Sequence, residues 1–342
     1  MSHSVARPDA DARAAAAERV AALATPTGAL GRLGDLGVWW AGVQGRVPAD
    51  PPSAVHAVVF AGDHGVAGHG VSAYPSAVTP AMVRSFLAGT AGVCVLARQH
   101  GVALRVLDLG VDDDLTDVPA EVTQHKVRRG SGPIHLQDAL TAEETARSLE
   151  IGARVAEEEI AAGADLLVGG DMGIGNTTPT AALVAAALGL PAEEVVGRGT
   201  GVDDDGLQRK VDVVTAAVAR ADDRIADPVD RLTALGSADL AATVGFLVRA
   251  AERGVPVVLD GLISVACALT AEDLAPGASA WFVAGHRSTE PAQSLALAKL
   301  GLEPVIDVQL RLGEGSGAVA AVPLLRSAAL LLSETALLRD VL

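Results

Sequence analysis

The chain has 342 residues, of which 50% are hydrophobic and only 2% aromatic, and its formal net charge is −16. That length suits one large α/β domain or two smaller ones, with a core of Ala, Val and Leu rather than of rings. So much negative charge repels a phosphate backbone, and so few rings leave little for base stacking, which together exclude a nucleic-acid partner.

The chain opens on a polar, acidic segment without the apolar stretch of a signal peptide. Residues 8–24 have helical spacing, Thr25 to Gly31 breaks the helix, and a second helix is expected to run to Gly45. Pro48 to Ser53 reads as a linker-like loop. Ala54 to Ala61 is a continuous apolar run with β-branched residues, the pattern of a buried parallel strand. Val78 to His100 is expected to be helical, Ala103 to Leu109 a strand, and Asp112 to Lys126 an irregular loop or short hairpin. A helix over Ala142–Ala162 and a strand over Asp165–Gly169 follow. Helices are then expected over Thr178–Leu188, Asp204–Arg220 and Ala238–Arg253. Short strands at Pro256–Leu259, Ala280–Ala284 and Pro304–Val308 lead to a final helix, Ala318–Leu338. The alternation implies a mostly parallel sheet with helices on both faces. No internal repeat is visible. Cys94 and Cys267 lie in apolar helix-like runs and read as buried hydrophobes of a reducing compartment, not as a disulfide. The longer apolar runs are short of a membrane span or broken by Gly, Pro and charge. A cytoplasmic protein is expected.

The chemistry is expected at the strand ends, because open α/β sheets bind ligands beyond the carboxyl ends of their strands. Nearly every expected strand ends in glycine beside a polar residue: Gly62-Asp63-His64, the turn Gly170-Asp171-Met172-Gly173-Ile174-Gly175-Asn176, Asp260-Gly261, Gly285-His286-Arg287-Ser288 and Gly313-Glu314-Gly315. Five such turns suggest one shared cleft. The glycines before Asn176-Thr177-Thr178 open a helix and suit a phosphate. The same residues read equally as a tight turn with a Thr cap. This is neither a Walker A loop nor a dinucleotide fingerprint. A second candidate, Gly197-Arg198-Gly199-Thr200-Gly201, leads into a helix carrying Arg209 and Lys210. Those cations are natural phosphate partners in so acidic a chain, although Lys usually sits on a solvated face. Asp63, His64 and His69 invite a metal, but they lie on a glycine-rich loop without a convincing third ligand, so hydrogen bonding ranks first. In Arg311-Leu312-Gly313-Glu314-Gly315-Ser316-Gly317, three glycines free the backbone, Ser316 is placed to cap the following helix, and Glu314 is a candidate general base.

These turns, together with Gly65-Val66 and Gly70-Val71-Ser72-Ala73-Tyr74-Pro75, occur in an order that resembles the nicotinate-nucleotide–dimethylbenzimidazole phosphoribosyltransferases. The resemblance runs from about Gly28 to the C-terminus. It implies a Rossmann-like α/β fold with a small helical part from both chain ends, all in a single domain, and a homodimer. It also implies transfer of phosphoribose from nicotinate mononucleotide to 5,6-dimethylbenzimidazole, on the route to the lower ligand of cobalamin. No metal or cofactor is implied. The family's base maps to Glu314. Asp171 stands where the family often has Glu, as a candidate auxiliary carboxylate one methylene shorter. The nucleotide and its phosphate are expected at Gly173, Gly175, Asn176, Thr177, Thr178, Gly199, Gly201, Lys210 and Ser288. The base is expected at Ser72, Tyr74 and Leu312. Two alternatives remain open from the residues alone: a metal-assisted nucleotide phosphohydrolase using Asp63 and His64, and a non-catalytic nucleotide- or base-binding protein.

Overall fold

Val55–Gly62 is an apolar run with almost every residue buried, and it forms β1 in the middle of a sheet. The protein is described here by a computed structural model covering residues 5–342. The other strands are β2 (Val102–Gly110), β3 (Leu166–Met172), β4 (Val257–Leu259), β5 (Phe282–His286) and β6 (Pro304–Ile306). Their order is β2-β1-β3-β4-β5-β6, and every pairing is parallel. β1 pairs with β2 on one side and β3 on the other, with Val55 level with both Val102 and Leu166. The connections therefore reverse direction beside β1, which opens a crevice at the carboxyl ends of the strands.

Side-chain alternation along β1 divides the core into two layers. Val58 and Phe60 face one layer, made with the helices Ala142–Ala161, Thr177–Leu188, Asp204–Ala221, Ala238–Glu252 and Leu262–Leu274. Ala57, Val59 and Ala61 face the other, made with Gly31–Gln44, Val78–Leu87, Gly92–His100 and Ser316–Glu334. The few rings are placed where they fill most volume, as where Phe60 meets Phe246 edge-to-face at 5.6 Å. The chain ends meet on the second layer. Leu23 bridges Leu337, and Arg19 donates to the carbonyls of Leu332 (2.5 Å) and Ser333 (2.9 Å).

Several expectations change on contact with the structure. Val78–His100 is two helices, because the chain turns through Ala88–Ala91 with Gly89 at φ 70°. The helices Pro228–Leu235, Leu262–Leu274 and Pro291–Leu300 join those expected. Ser316–Glu334 continues through Pro323, so this apolar run is not broken, and by length and composition alone it could cross a membrane. Here Ala318, Val319, Val322 and Leu325 are buried in the core, and that packing outweighs the cost of an interior proline.

The helices Ala142–Ala161 and Ala238–Glu252 approach each other backbone to backbone. A Cβ on Gly152 would run into the Ala242 carbonyl, and one on Gly245 into the Leu149 carbonyl. Each glycine thus makes room for the other helix's backbone. Overpacking such a contact costs typically about 1–3 kcal/mol and more where backbone must move. Gly152→Val is therefore expected to lower the urea midpoint strongly. An unchanged midpoint would show that the helices can separate freely.

Candidate active site

The cleft of about 430 Å³ lies over the carboxyl ends of β3, β4 and β5. One wall is apolar, from Tyr74, Val78, Met82, Ile263 and Leu312. The polar lining of the cleft includes Thr177, Gly199, Thr200, Ser288, Glu290 and Arg311. Asp171, Asp260, His286 and Glu314 also line it.

Glu314 sits in a turn of three successive left-handed residues: Gly313 at φ 77°, Glu314 at 65° and Gly315 at 88°. A non-glycine residue in this region carries strain of roughly 1–3 kcal/mol, which persists only where the surroundings enforce it. Gly170 permits the close approach, since a Cβ there would stand 2.5 Å from the Glu314 carbonyl. The side chain is 6% exposed, and its Oε2 accepts the Val93 N–H at 3.1 Å. Burial pushes the carboxyl above its ordinary value, the Val93 bond opposes this, and the Asp260 charge adds to the rise. A carboxylate desolvated in this way is a stronger base than one in water.

Ser316 is not the cap of the following helix. It is the first helical residue, and its Oγ donates to the Gly313 carbonyl at 2.6 Å. Asp260, at the end of β4, takes the role instead. Its Oδ1 accepts from Gly317 N (2.7 Å) and Ala318 N (3.1 Å), and its Oδ2 from Gly315 N (3.1 Å). His286 Nε2 stands 3.4 Å from Asp260 Oδ1.

Asp171 lies on the floor, 8% exposed. Burial first, then the neighbouring Asp239 carboxylate, push its carboxyl well above the ordinary range. Its Oδ1 accepts from Asn176 Nδ2 at 2.5 Å, so Asn176 serves the floor rather than capping its helix. Burial works against the Asp239 charge, but His64 and the other polar neighbours outweigh it and leave Asp239 below the ordinary range. His64 Nε2 is 3.5 Å from Asp239 Oδ2. Asp63 Oδ2 accepts the Asp112 N–H at 2.8 Å, and His69 meets His135 edge-to-face at 4.5 Å. These three metal candidates thus face three different partners. No group of three or more His, Cys, Asp or Glu placed to hold a metal ion occurs among the described residues.

The expected phosphate residues divide. Lys210 is not on a solvated face but 1% exposed, with Nζ donating to the Gly197 carbonyl (2.7 Å) and Thr177 Oγ1 (3.0 Å). Gly199, at φ 51°, packs against both, since a Cβ there would meet Thr177 Oγ1 at 2.7 Å and Lys210 Nζ at 2.9 Å. Gly201 lies in the same loop. Ser288 lines the cleft, its N–H held by Gln293 Oε1 at 2.6 Å. The amides expected to cradle phosphate are largely taken, however. Ile174 N donates to Thr79 Oγ1, Asn176 N to the Gly173 carbonyl and Thr178 N to the Gly175 carbonyl. Thr178 is wholly buried, and Gly175 packs on Ala67. Gly173 lines the floor, where it leaves room for the Gly62 carbonyl and the His64 ring. Tyr74 and Leu312 line the apolar wall, 55% and 49% exposed. Ser72 is not in the lining, and its hydroxyl meets Thr200 Oγ1 at 3.2 Å.

Sequence reasoning missed Glu290, whose Oε1 accepts the Gly199 N–H at 2.8 Å. It also missed the apolar wall residues Val78, Met82 and Ile263, which carry no signal beyond hydrophobicity. Asp260 and His286 were visible as strand-end residues, but not as a pair.

A family model for phosphoribosyltransferases matches residues 5–341. The nicotinate-nucleotide–dimethylbenzimidazole phosphoribosyltransferase of Mycolicibacterium paratuberculosis is 53% identical over 332 residues, covering 97% of this chain and 95% of that one. The chain belongs to this phosphoribosyltransferase family. The enzyme of the same name from Mycobacterium tuberculosis is 52% identical, covering 97% of this chain and 91% of its own. A crystal structure of CobT from Thermus thermophilus superposes with a TM-score of 0.93 at 44% identity, covering 97% of this chain and 98% of that one. The six-stranded parallel sheet flanked by helices is thus the family's fold, as expected from the sequence.

Proposed function

We propose that this phosphoribosyltransferase moves phosphoribose from nicotinate mononucleotide to 5,6-dimethylbenzimidazole. The products are α-ribazole 5′-phosphate and nicotinate, in assembly of the cobalamin lower ligand. Full-length similarity to enzymes of that name supports the reaction. The observation that carries it at the site is Glu314, a buried carboxylate in a cleft that has both apolar and polar lining.

The chemistry asks little more of the protein. The C1′–N bond of the nucleotide breaks as its electron pair returns to the cationic pyridinium nitrogen, so nicotinate leaves without an acid. The sugar carbon develops oxocarbenium character. One benzimidazole nitrogen attacks from the opposite face, turning a β-nucleotide into an α-riboside. The other nitrogen releases its proton to Glu314. Tyr74, Val78, Met82 and Leu312 suit the flat base. Thr177, Gly199, Gly201, Lys210 and Ser288 suit the nucleotide, and a phosphate there competes with Glu290 for the Gly199 N–H. Asp171, on the floor with its carboxyl raised by burial and by Asp239, serves as the auxiliary carboxylate, and Glu314 takes the proton.

A homodimer and a cytoplasmic location belong to the same proposal. Apolar side chains left exposed, among them Leu87 and Val95, support the first, and two unpaired cysteines the second. Sedimentation of the purified chain and cell fractionation test them.

The direct test incubates the protein with nicotinate mononucleotide and dimethylbenzimidazole, with and without chelator and thiol reductant. An α-riboside product is expected at the same rate in all conditions. Activity lost to chelator and restored by a divalent ion would favour the phosphohydrolase. Binding of both compounds without product would favour a non-catalytic protein.

A further inference from the structure

The turn that bears Glu314 is strained and has no cap of its own, yet it is held in one place. We propose that the buried Asp260–His286 pair is a positioning device for Glu314. Asp260 clamps the turn by its three N–H bonds, and His286 balances the charge of the clamp. The inference rests on the reading of Glu314 as the base.

Four observations support it. Asp260 and His286 are 4% and 1% exposed, so this is a built site and not a surface contact. The bonds from Gly315, Gly317 and Ala318 bracket the left-handed residue on its C-terminal side. The two strand ends are themselves pinned together. Gln293, fully buried, donates to the carbonyls of both Asp260 (3.3 Å) and His286 (2.9 Å). Finally, Gly317 is the residue that admits the ring, because a Cβ there would run into His286. The arrangement thus joins β4, β5 and the last long helix through one carboxylate.

Its electrostatics follow. The titratable groups facing Glu314 are Asp260 at the end of β4 and Cys94 on the helix Gly92–His100. His286 of β5 and Asp171 of β3 stand behind Asp260. Burial opposes charge on His286, but the Asp260 carboxylate outweighs it and raises the imidazole above its ordinary value. A clamp without this counter-charge would push Glu314 further up. A clamp without charge would let it fall.

The test follows kcat/KM for nicotinate mononucleotide across pH in wild type, Glu314→Gln, Asp260→Asn, His286→Asn and the double variant Asp260→Asn/Glu314→Gln. Nucleotide affinity and thermal unfolding are measured alongside. Displacement of a catalytic group by about 1 Å costs on the order of 10²-fold, so Asp260→Asn should lose that much rate. Its acid limb should move to lower pH, and that of His286→Asn to higher pH. In the Glu314→Gln background, Asp260→Asn should cost little more. An unmoved acid limb in both variants, or costs that multiply in full, would overturn the clamp while leaving Glu314 as base. If Asp260→Asn does not fold, the direction of the His286→Asn limb decides. If Glu314→Gln itself keeps wild-type rate and acid limb, the base assignment falls, and the clamp with it.

Discussion

Glu314→Gln is expected to lower turnover by about 10²–10⁴-fold while nicotinate mononucleotide still binds. The substitution keeps the volume and the shape of the side chain. It still offers an oxygen to the Val93 N–H, the one hydrogen bond this carboxylate makes among the described residues, so the turn should stay in place. What it removes is the capacity to take a proton. The wild-type pH profile should show the same group. Because burial raises the Glu314 carboxyl, activity should fall as pH drops through a value above that of an ordinary glutamate, and this limb should vanish in the variant. Nucleotide affinity should hold, since the Lys210–Thr177–Gly199 corner is untouched. Normal binding of both substrates with near wild-type turnover would rule out Glu314 as the base.

Lys210→Met is expected to weaken nicotinate mononucleotide binding by roughly 1.5–3 kcal/mol, the worth of a charge-assisted contact, or about ten- to 150-fold. Lys210 is buried against Gly199, with its charge disfavoured by burial and partly restored by Glu290. An anionic phosphate beside Thr177 and Gly199 would complete its partners. Methionine fills nearly the same space, so it separates loss of charge from loss of packing. Lys210→Ala adds a cavity and should also lower the thermal midpoint. Calorimetry with each substrate decides the matter. Dimethylbenzimidazole affinity should be unchanged, and equal weakening of both ligands, or of neither, removes Lys210 from the phosphate site.

The strands were legible to within a few residues because each carries a short apolar run, as with Val55–Gly62 and Leu166–Met172. Leu262–Leu274 was not, because it is buried nearly all round and shows no apolar stripe. The cleft was legible as a set of strand ends, and Glu314 as its acid. Partnerships were not. Ser316 looked like a cap because local sequence favours Ser there, whereas a carboxylate from a distant strand already occupies the helix end. Lys210 looked like a solvated cation or a ligand to phosphate, and only the fold of the Gly197–Gly201 loop shows it buried. The amides after Gly173 looked free because their acceptors, among them Thr79 Oγ1, lie on another element.

The interlocked glycines Gly152 and Gly245 bear on all this through the helix Ala238–Glu252. Asp239 occupies the first turn of the helix that Gly245 seats, and its carboxylate fits under Gly62, where a Cβ would run into its Oδ1. A side chain added at that helix–helix seam is therefore expected to shift the Asp239 carboxylate, which is one of the causes that raise the Asp171 carboxyl. A bulky residue at either glycine, in contact with no cleft side chain, would act as a shim and retune the site's ionisation without altering a single group that faces substrate.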